Sequence, residues 1–318
     1  MNQEANIMMR EVQVLLAIHN GEKHLAELLM SLGKQEKCKV HLIVGFDNSE
    51  DNSLSILQSF ESTFESVTIY WNSFGDHNEN FSFLFSKRLK GIPLAFCDQD
   101  DLWLPTKVQN SLQILAVKKG PTLVTSTVRI LNSDEVIPSK VIHSQISAIF
   151  VNPSKGCTQV LNVELQELIE QLGGLSGTQY YDWWVYVVAF FFGHVVYLQS
   201  PSIEYRIHQQ NTIGQPSLKK QFKSRLVRFF KTGSIVPNES LTYLLKVSEI
   251  CRSRDIQLSK DLEKLLGLLH EKRIRRLSIL KGEFRFHPQW VKNCILRVGV
   301  ILCPRLTKKE DVARKANC

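Results

Sequence analysis

"IPLAFCDQDDLWLPTKV", residues 92–108, decides how the rest of the chain is read. Its first half is a continuous apolar run, the pattern of a strand buried on both faces. The run stops at Asp98, and three carboxylates fall within four positions: Asp98, Asp100 and Asp101. At ~5 Å separation and an effective dielectric of about 20, each like-charge pair costs roughly 3 kcal/mol. Pro105 then suits the first turn of a helix, predicted over 105–119. A strand that ends in unbalanced negative charge and turns into a helix needs both a fold and a counter-charge.

The same alternation surrounds it. "VQVLLAI" (12–18), "KVHLIVGF" (39–46), "VTIYWN" (67–72) and "TLVTSTVRIL" (122–131) read as strands. Between them lie helical patterns. After Asn20-Gly21, Leu25, Leu28, Leu29 and Leu32 share one face and Gly33 closes the helix. A loop from Asp47 feeds a second helix capped by Asp51, Asn52 or Ser53, and 78–89 reads as a third. Strands alternating with helices predict an α/β fold with a mainly parallel sheet. Ligands of such sheets sit beyond the carboxyl ends of the strands, where both Asp47 and the Asp98–Asp101 cluster fall.

After 135 the pattern changes. "SAIFVNPSKGCTQVLN" (147–162) reads as loop then strand, and 163–171 as helix. "YDWWVYVVAFFFG" (181–193) is apolar nearly all round, so it is expected to be a buried helix. Residues 194–208 read as two short strands broken at Pro201.

At 318 residues, 43% hydrophobic and 22% charged, the chain can bury a sizeable core. Its charge is unevenly placed. Residues 215–318 hold 24 basic and 9 acidic side chains, a net of +15; residues 1–214 hold 15 and 22, a net of −7. With the breaker Gly214-Gln215-Pro216, this predicts a catalytic domain over 1–214 and a basic, mostly helical extension over 215–318. Seven scattered cysteines with no CxxC pair, behind a polar start, predict reduced thiols in a cytoplasmic protein. No stretch reaches the ~18 apolar residues of a membrane span.

Asp-x-Asp-Asp at a strand end can hold a divalent cation, since Mg²⁺ and Mn²⁺ take one or two carboxylates plus phosphate oxygens. The plain alternative is a solvated acidic loop ahead of Pro105. Five segments in order narrow the choice: "VLLAIHNGEKHLAELLMSLGKQ", "GFDNSEDNSL", "FCDQDDLWLPTKV", "KGCTQVLN" and "YDWWVYVVAFFFGHVVYLQSPSIEYRIHQQNTIG". Over about residues 10–214 the chain resembles the family 2 glycosyltransferases of GT-A fold, and within them the bacterial rhamnosyltransferase-like branch.

The resemblance implies a Rossmann-like domain that binds a nucleotide-diphosphate sugar (dTDP-rhamnose or a UDP-sugar), a Mg²⁺ or Mn²⁺ cofactor, and inversion at the anomeric carbon. It assigns nucleotide-sugar contacts to Ala17, His19, Asp47, Asp98, Asp100 and Arg206, and the metal to Asp100, Asp101 and His208. Asp182 matches the catalytic base. Its setting beside Trp183 and Trp184 is expected to raise its basicity by partial desolvation, and the two indoles are expected to pack a sugar ring. The alternatives are N-capping for Asp47 and Asp182, with both tryptophans in the core. Gly156-Cys157 resembles the acceptor-side segment and is expected to serve packing. The family's Asp-Asp-Gly-Ser is here Phe46-Asp47-Asn48-Ser49, and its Thr-Tyr-Asn is Ile18-His19-Asn20; both departures touch nucleotide binding.

The acceptor implied is a growing surface polysaccharide or lipid-linked glycan. The basic extension then has two readings: helices packed on the catalytic domain, or peripheral docking on the anionic inner leaflet of the plasma membrane. No aromatic-basic recognition motif accompanies it, so nucleic acid is not an expected partner. Two other functions are open. A nucleotidyltransferase would need a Gly-rich, basic loop after the first strand, and "AIHNGEKHL" has one Gly. A non-catalytic glycan-binding or scaffold protein would show no donor turnover.

Overall fold

The computed structural model describes residues 10–207 and 238–271, together with 279, 284–286, 296–297 and 300–301. The chain divides into two compact units, one of residues 1–140 and 154–207, the other of 141–153 and 208–318.

The first unit is an α/β structure around a nine-stranded sheet. β1 (Arg10–Ile18), β2 (Cys38–Asp47), β3 (Ser66–Asn72) and β4 (Leu94–Cys97) are the predicted apolar runs. They lie parallel in the order β3-β2-β1-β4. Helices α1 (Glu22–Gly33), α2 (Ser53–Ser59) and α3 (His77–Ser86) connect them. α1 buries Leu25, Leu28, Leu29 and Leu32, the stripe read from the sequence.

The sheet continues through short β5 (Leu102–Trp103), β6 (Thr122–Ile130), β7 (Val136–Ile137), β8 (Val160–Leu161) and β9 (His194–Tyr205). β8 runs antiparallel between β4 and β6, β9 is parallel to β6, and β5 closes the edge antiparallel to β9. Helices α4 (Lys107–Val117), α6 (Val163–Gln171) and α7 (Tyr181–Phe192) pack on this half. α7 buries every residue from Tyr181 to Ala189, as its all-round apolar sequence requires.

Two local expectations are corrected. Residues Gln145–Phe150 are a helix, α5, not a loop, because Ser144 caps it by accepting from the Ser147 N–H. Residues 194–205 form one strand, not two. Pro201 has no N–H to give the ladder, and the sheet takes up the defect as register shifts between Ser126 and Thr127 and between Thr127 and Arg129.

In the second unit α5 packs with α8 (Asn238–Ser253) and α9 (Lys260–Leu269). α9 buries Leu262, Leu265 and Leu269 and is capped by Ser259. The Ser259 N–H donates to Gln145 Oε1 at 2.9 Å. Among the described residues no helix is long and apolar enough to cross a membrane.

Candidate active site

Register brings the chemistry together. Ile18 pairs with Phe46 and Leu16 with Cys97, so β1, β2 and β4 end side by side. The residues that follow them, His19, Asp47 at the last place of β2, and Asp98, therefore collect at one carboxyl edge. Ala17 lies just inside that edge, buried opposite Gly45.

Hydrogen bonds from remote segments fix the edge. Gln99 clasps the loop after β1: its Oε1 accepts from His19 N and its Nε2 donates to His19 O, both at 2.9 Å. Asn20 N donates to Ser49 Oγ, and Asn20 Oδ1 accepts from Glu50 N, tying that loop to the one after β2. His19 Nδ1 is 2.9 Å from the Asp47 carbonyl, so that nitrogen carries the proton. Asp47 is buried; its Oδ2 accepts from Gly75 N at 2.8 Å, and among the described residues its Oδ1 has no hydrogen-bond partner. Asp47 is not an N-cap, since α2 begins at Ser53. The Phe46 ring is buried and packs against Trp71, 4.9 Å between centroids, so the missing carboxylate is replaced by core.

Arg206 follows β9 and reaches the acid cluster. Its backbone N–H donates to Asp101 Oδ1 at 3.2 Å, its Nε to the Asp100 carbonyl at 3.0 Å, and its Nη2 to Glu27 Oε2 at 2.6 Å. Of the cluster, Asp101 is buried at 1% exposure. Burial, and then the charges of Asp98 and Asp100, push its carboxyl well above the usual range, against the Cys157 thiol and the Arg206 N–H. Asp98 Oδ1 lies 3.3 Å from His77 Nε2. Desolvation works against the charged ring, but the bond to Asp98 and the charges of Asp98, Asp182 and Asp76 win and raise the His77 pKa.

The residues suit a hard divalent cation. Asp98, Asp101 and Cys157 bring ligand atoms within 4.8 Å of one another. Two carboxylates are the donors Mg²⁺ or Mn²⁺ take, and among the described residues the buried Asp101 Oδ2 has no donor besides the Cys157 thiol. The Cys157 thiol is soft, and burial and the charges of Asp101 and Asp98 push its pKa up, so it is a poor donor for such a cation. The expected ligand set was Asp100, Asp101 and His208; the structure groups Asp98 with Asp101, the Asp100 carbonyl is engaged by Arg206, and His208 lies outside the described residues.

Asp182 sits in the first turn of α7, 8% exposed, with its carbonyl accepting from Gln159 Nε2 at 2.8 Å. Tyr181 precedes it, wedged against Phe81, Phe96 and His77. The expected sugar-stacking role of the indoles is corrected: Trp184 is 0% exposed and Trp183 7%, because α7 is buried all round. Gln99, Glu27 and His77 were not singled out from the sequence. Their partners lie 80, 179 and 21 residues away, and no local spacing announces such contacts.

Residues 13–163 match the family model described as Glycosyl transferase family 2. The chain is 25% identical over 226 residues to the dTDP-rhamnosyl transferase RfbG of Shigella flexneri, covering 65% of this chain and 77% of that protein. It is 22% identical over 156 residues to the UDP-Glc:alpha-D-GlcNAc-diphosphoundecaprenol beta-1,3-glucosyltransferase WfgD of Escherichia coli, covering 47% and 59% respectively. Among solved structures it shares the fold of S. aureus TarS 1–349 in complex with UDP-GlcNAc, with TM-score 0.52, 14% identity, and 75% of this chain and 71% of that one covered.

Proposed function

The chain is a family 2 glycosyltransferase of GT-A fold, and on that premise we propose that it transfers rhamnose from a nucleotide diphosphate to a glycan acceptor, with inversion. The observation that carries the reading is the convergence of Asp47, the Asp98–Asp101 cluster, Arg206 and Asp182 from four separate segments. The dTDP-rhamnosyl activity printed for the Shigella relative supports the sugar, and the UDP-GlcNAc held by the TarS fold supports a nucleotide-sugar donor.

In this reading the free Oδ1 of Asp47 accepts from the pyrimidine base. Asp98 and Asp101 would hold Mg²⁺ or Mn²⁺, with Asp100 at the ribose; when bound, the cation supplies Lewis-acid neutralisation of the leaving diphosphate. Arg206, braced by Glu27, presents its guanidinium to the same charge. Asp182 takes the acceptor hydroxyl proton as that oxygen bonds to the anomeric carbon and the bond to the diphosphate oxygen breaks. The acceptor is a growing surface polysaccharide or a lipid-linked glycan at the cytoplasmic face of the membrane, where the net +15 of residues 215–318 favours an anionic leaflet.

Asp182→Asn tests it. The variant is expected to fold and to bind donor as the wild type does, while nucleotide diphosphate release with acceptor falls by at least about 100-fold. Undiminished turnover would remove Asp182 as the base.

A further inference from the structure

The turn that carries Asp182 is held from outside its own helix. The first N–H groups of a helix find no partner within it. Tyr180 stands at the N-cap of α7 and makes no side-chain cap bond. Two side chains from other segments reach the turn instead. Asn78, the second residue of α3, accepts from Tyr181 N through its Oδ1 at 3.3 Å. Asn is among the best capping residues, and this one comes from 103 positions away. Gln159 reaches the next residue, its Nε2 donating to the Asp182 carbonyl at 2.8 Å. Neither amide can be turned round, because a backbone N–H cannot accept and a carbonyl cannot donate.

Both holders are themselves anchored. Gln159 is 0% exposed, and its Nε2 also donates to Ser154 Oγ at 3.0 Å, which donates in turn to Thr125 Oγ1 on β6 at 2.9 Å. Among the described residues Gln159 Oε1 has no hydrogen-bond partner. A buried amide with one end unsatisfied costs stability, so an apolar side chain would serve the core better. What the amide supplies is the bond to Asp182. Asn78 is anchored on the donor side. Gly75 N donates to Asp47 Oδ2 at 2.8 Å, Asp76 Oδ1 caps α3 by accepting from Glu79 N at 2.9 Å, and His77 Nε2 lies 3.3 Å from Asp98 Oδ1. Residues 75–78 thus touch Asp47, the acid cluster and the start of α7 in turn.

We propose that Asn78 and Gln159 are positioning residues for the transfer: one accepting and one donating side chain hold the Tyr181–Asp182 turn in register with the donor pocket. The inference rests on Asp182 being the base, as proposed above. Asp182 Oδ1 accepts from Trp183 N at 2.8 Å, so the carboxylate follows the turn when the turn moves. Proton removal and attack on the anomeric carbon tolerate little displacement; about 1 Å costs on the order of 100-fold. Neither Asn78 nor Gln159 touches substrate in this scheme. Loosening the turn therefore slows the chemistry and leaves donor binding alone.

The test reads kcat and donor KM of the full chain from dTDP release by dTDP-rhamnose with acceptor, beside the melting temperature. Gln159→Glu and Gln159→Met both remove the donated bond, and each is expected to lower kcat about tenfold or more with donor KM within about twofold. Gln159→Met is expected to melt no more than about two degrees below the wild type, because the unsatisfied oxygen leaves with the amide. Asn78→Ala is expected to lower kcat about tenfold. Asn78→Asp keeps an acceptor and is expected to turn over at least about threefold faster than Asn78→Ala, so the same amide-to-acid change harms one position and rescues the other. A merely structural pair predicts instead that kcat, KM and melting temperature worsen together, and that result overturns the proposal. So does a kcat within about twofold of the wild type in Gln159→Met and Asn78→Ala, or Asn78→Asp no faster than Asn78→Ala. If circular dichroism shows Gln159→Met unfolded, the two Asn78 variants decide. Asp182→Asn separates the two layers. Turnover lost in Asp182→Asn but kept in Gln159→Met and Asn78→Ala sinks the positioning alone. Undiminished turnover in Asp182→Asn sinks the base and the positioning with it.

Discussion

A charged lysine in a dry site is a cost that can be read out as pH dependence. Folded Lys107 has a pKa of about 8, against the ordinary 10.5. Between those values the unfolded chain binds the proton that the folded chain has lost, so stability rises with pH through that window. Below about 8 the full penalty stands, roughly 3 kcal/mol. Lys107→Met is therefore expected to be the more stable protein at pH 7 by about 3 kcal/mol, an advantage that fades by about pH 10.5. Urea denaturation at several pH values checks it. Glu27 poses the opposite case. It is an exposed side chain whose ion pair is worth little to stability, yet it holds Arg206. Glu27→Gln is expected to leave the melting temperature within a degree or two, while donor KM rises about threefold to tenfold, read by steady-state kinetics. Sequence alone made Asp47, Asp98, Asp101, Asp182 and Arg206 legible, because strand ends and family segments mark them. Glu27 and Lys107 were hidden, because one acts across 179 positions and the other looks like any helix-start lysine until its burial is known.

Elements behave differently, since their legibility depends on length and period. β1 and β2 could be read because nine or ten residues of apolar character admit few alternatives. α5 could not: six residues make less than two turns, and "ISAIF" satisfies a strand as well as a helix. Pro201 reads as a break in β9, but register shifts on its partner strand keep the ladder whole. α7 is legible as a buried helix, but hydropathy does not say which aromatic faces are covered, so the burial of Trp183 and Trp184 is not. The start of α7 depends on a glycine in another element. A Cβ on Gly156 would lie 2.2 Å from Tyr181 Oη, and Tyr181 leads directly into Asp182. Gly156→Ala is expected to cost about 1–3 kcal/mol by overpacking. It is also expected to lower kcat more than it raises KM, because the shift falls on the turn that carries the proposed base. Thermal denaturation and initial rates measure the two effects.

On the scale of the whole molecule, charge divides the chain as no single residue does: −7 over residues 1–214 and +15 over 215–318. If the basic part serves a membrane surface, sedimentation with vesicles containing phosphatidylserine is expected to capture the chain at about 50 mM salt and release it at about 500 mM. Neutral phosphatidylcholine vesicles are expected to capture little at either. Retention that ignores both lipid charge and salt would count against the electrostatic reading. The composition shift near 214 could be seen in the sequence; that residues 141–153 belong with the second compact unit could not, since nothing in their hydropathy sets them apart. A last consequence belongs to the clasp between Gln99 and the backbone of His19, with the Asn20 bonds beside it. Loops already bonded to one another have little disorder left to surrender when a donor arrives. Calorimetry of nucleotide binding should then record a small entropic penalty. A pocket with rigid walls also discriminates by shape, so the donor range is expected to be narrow, with poorly fitting nucleotides turned away rather than accommodated.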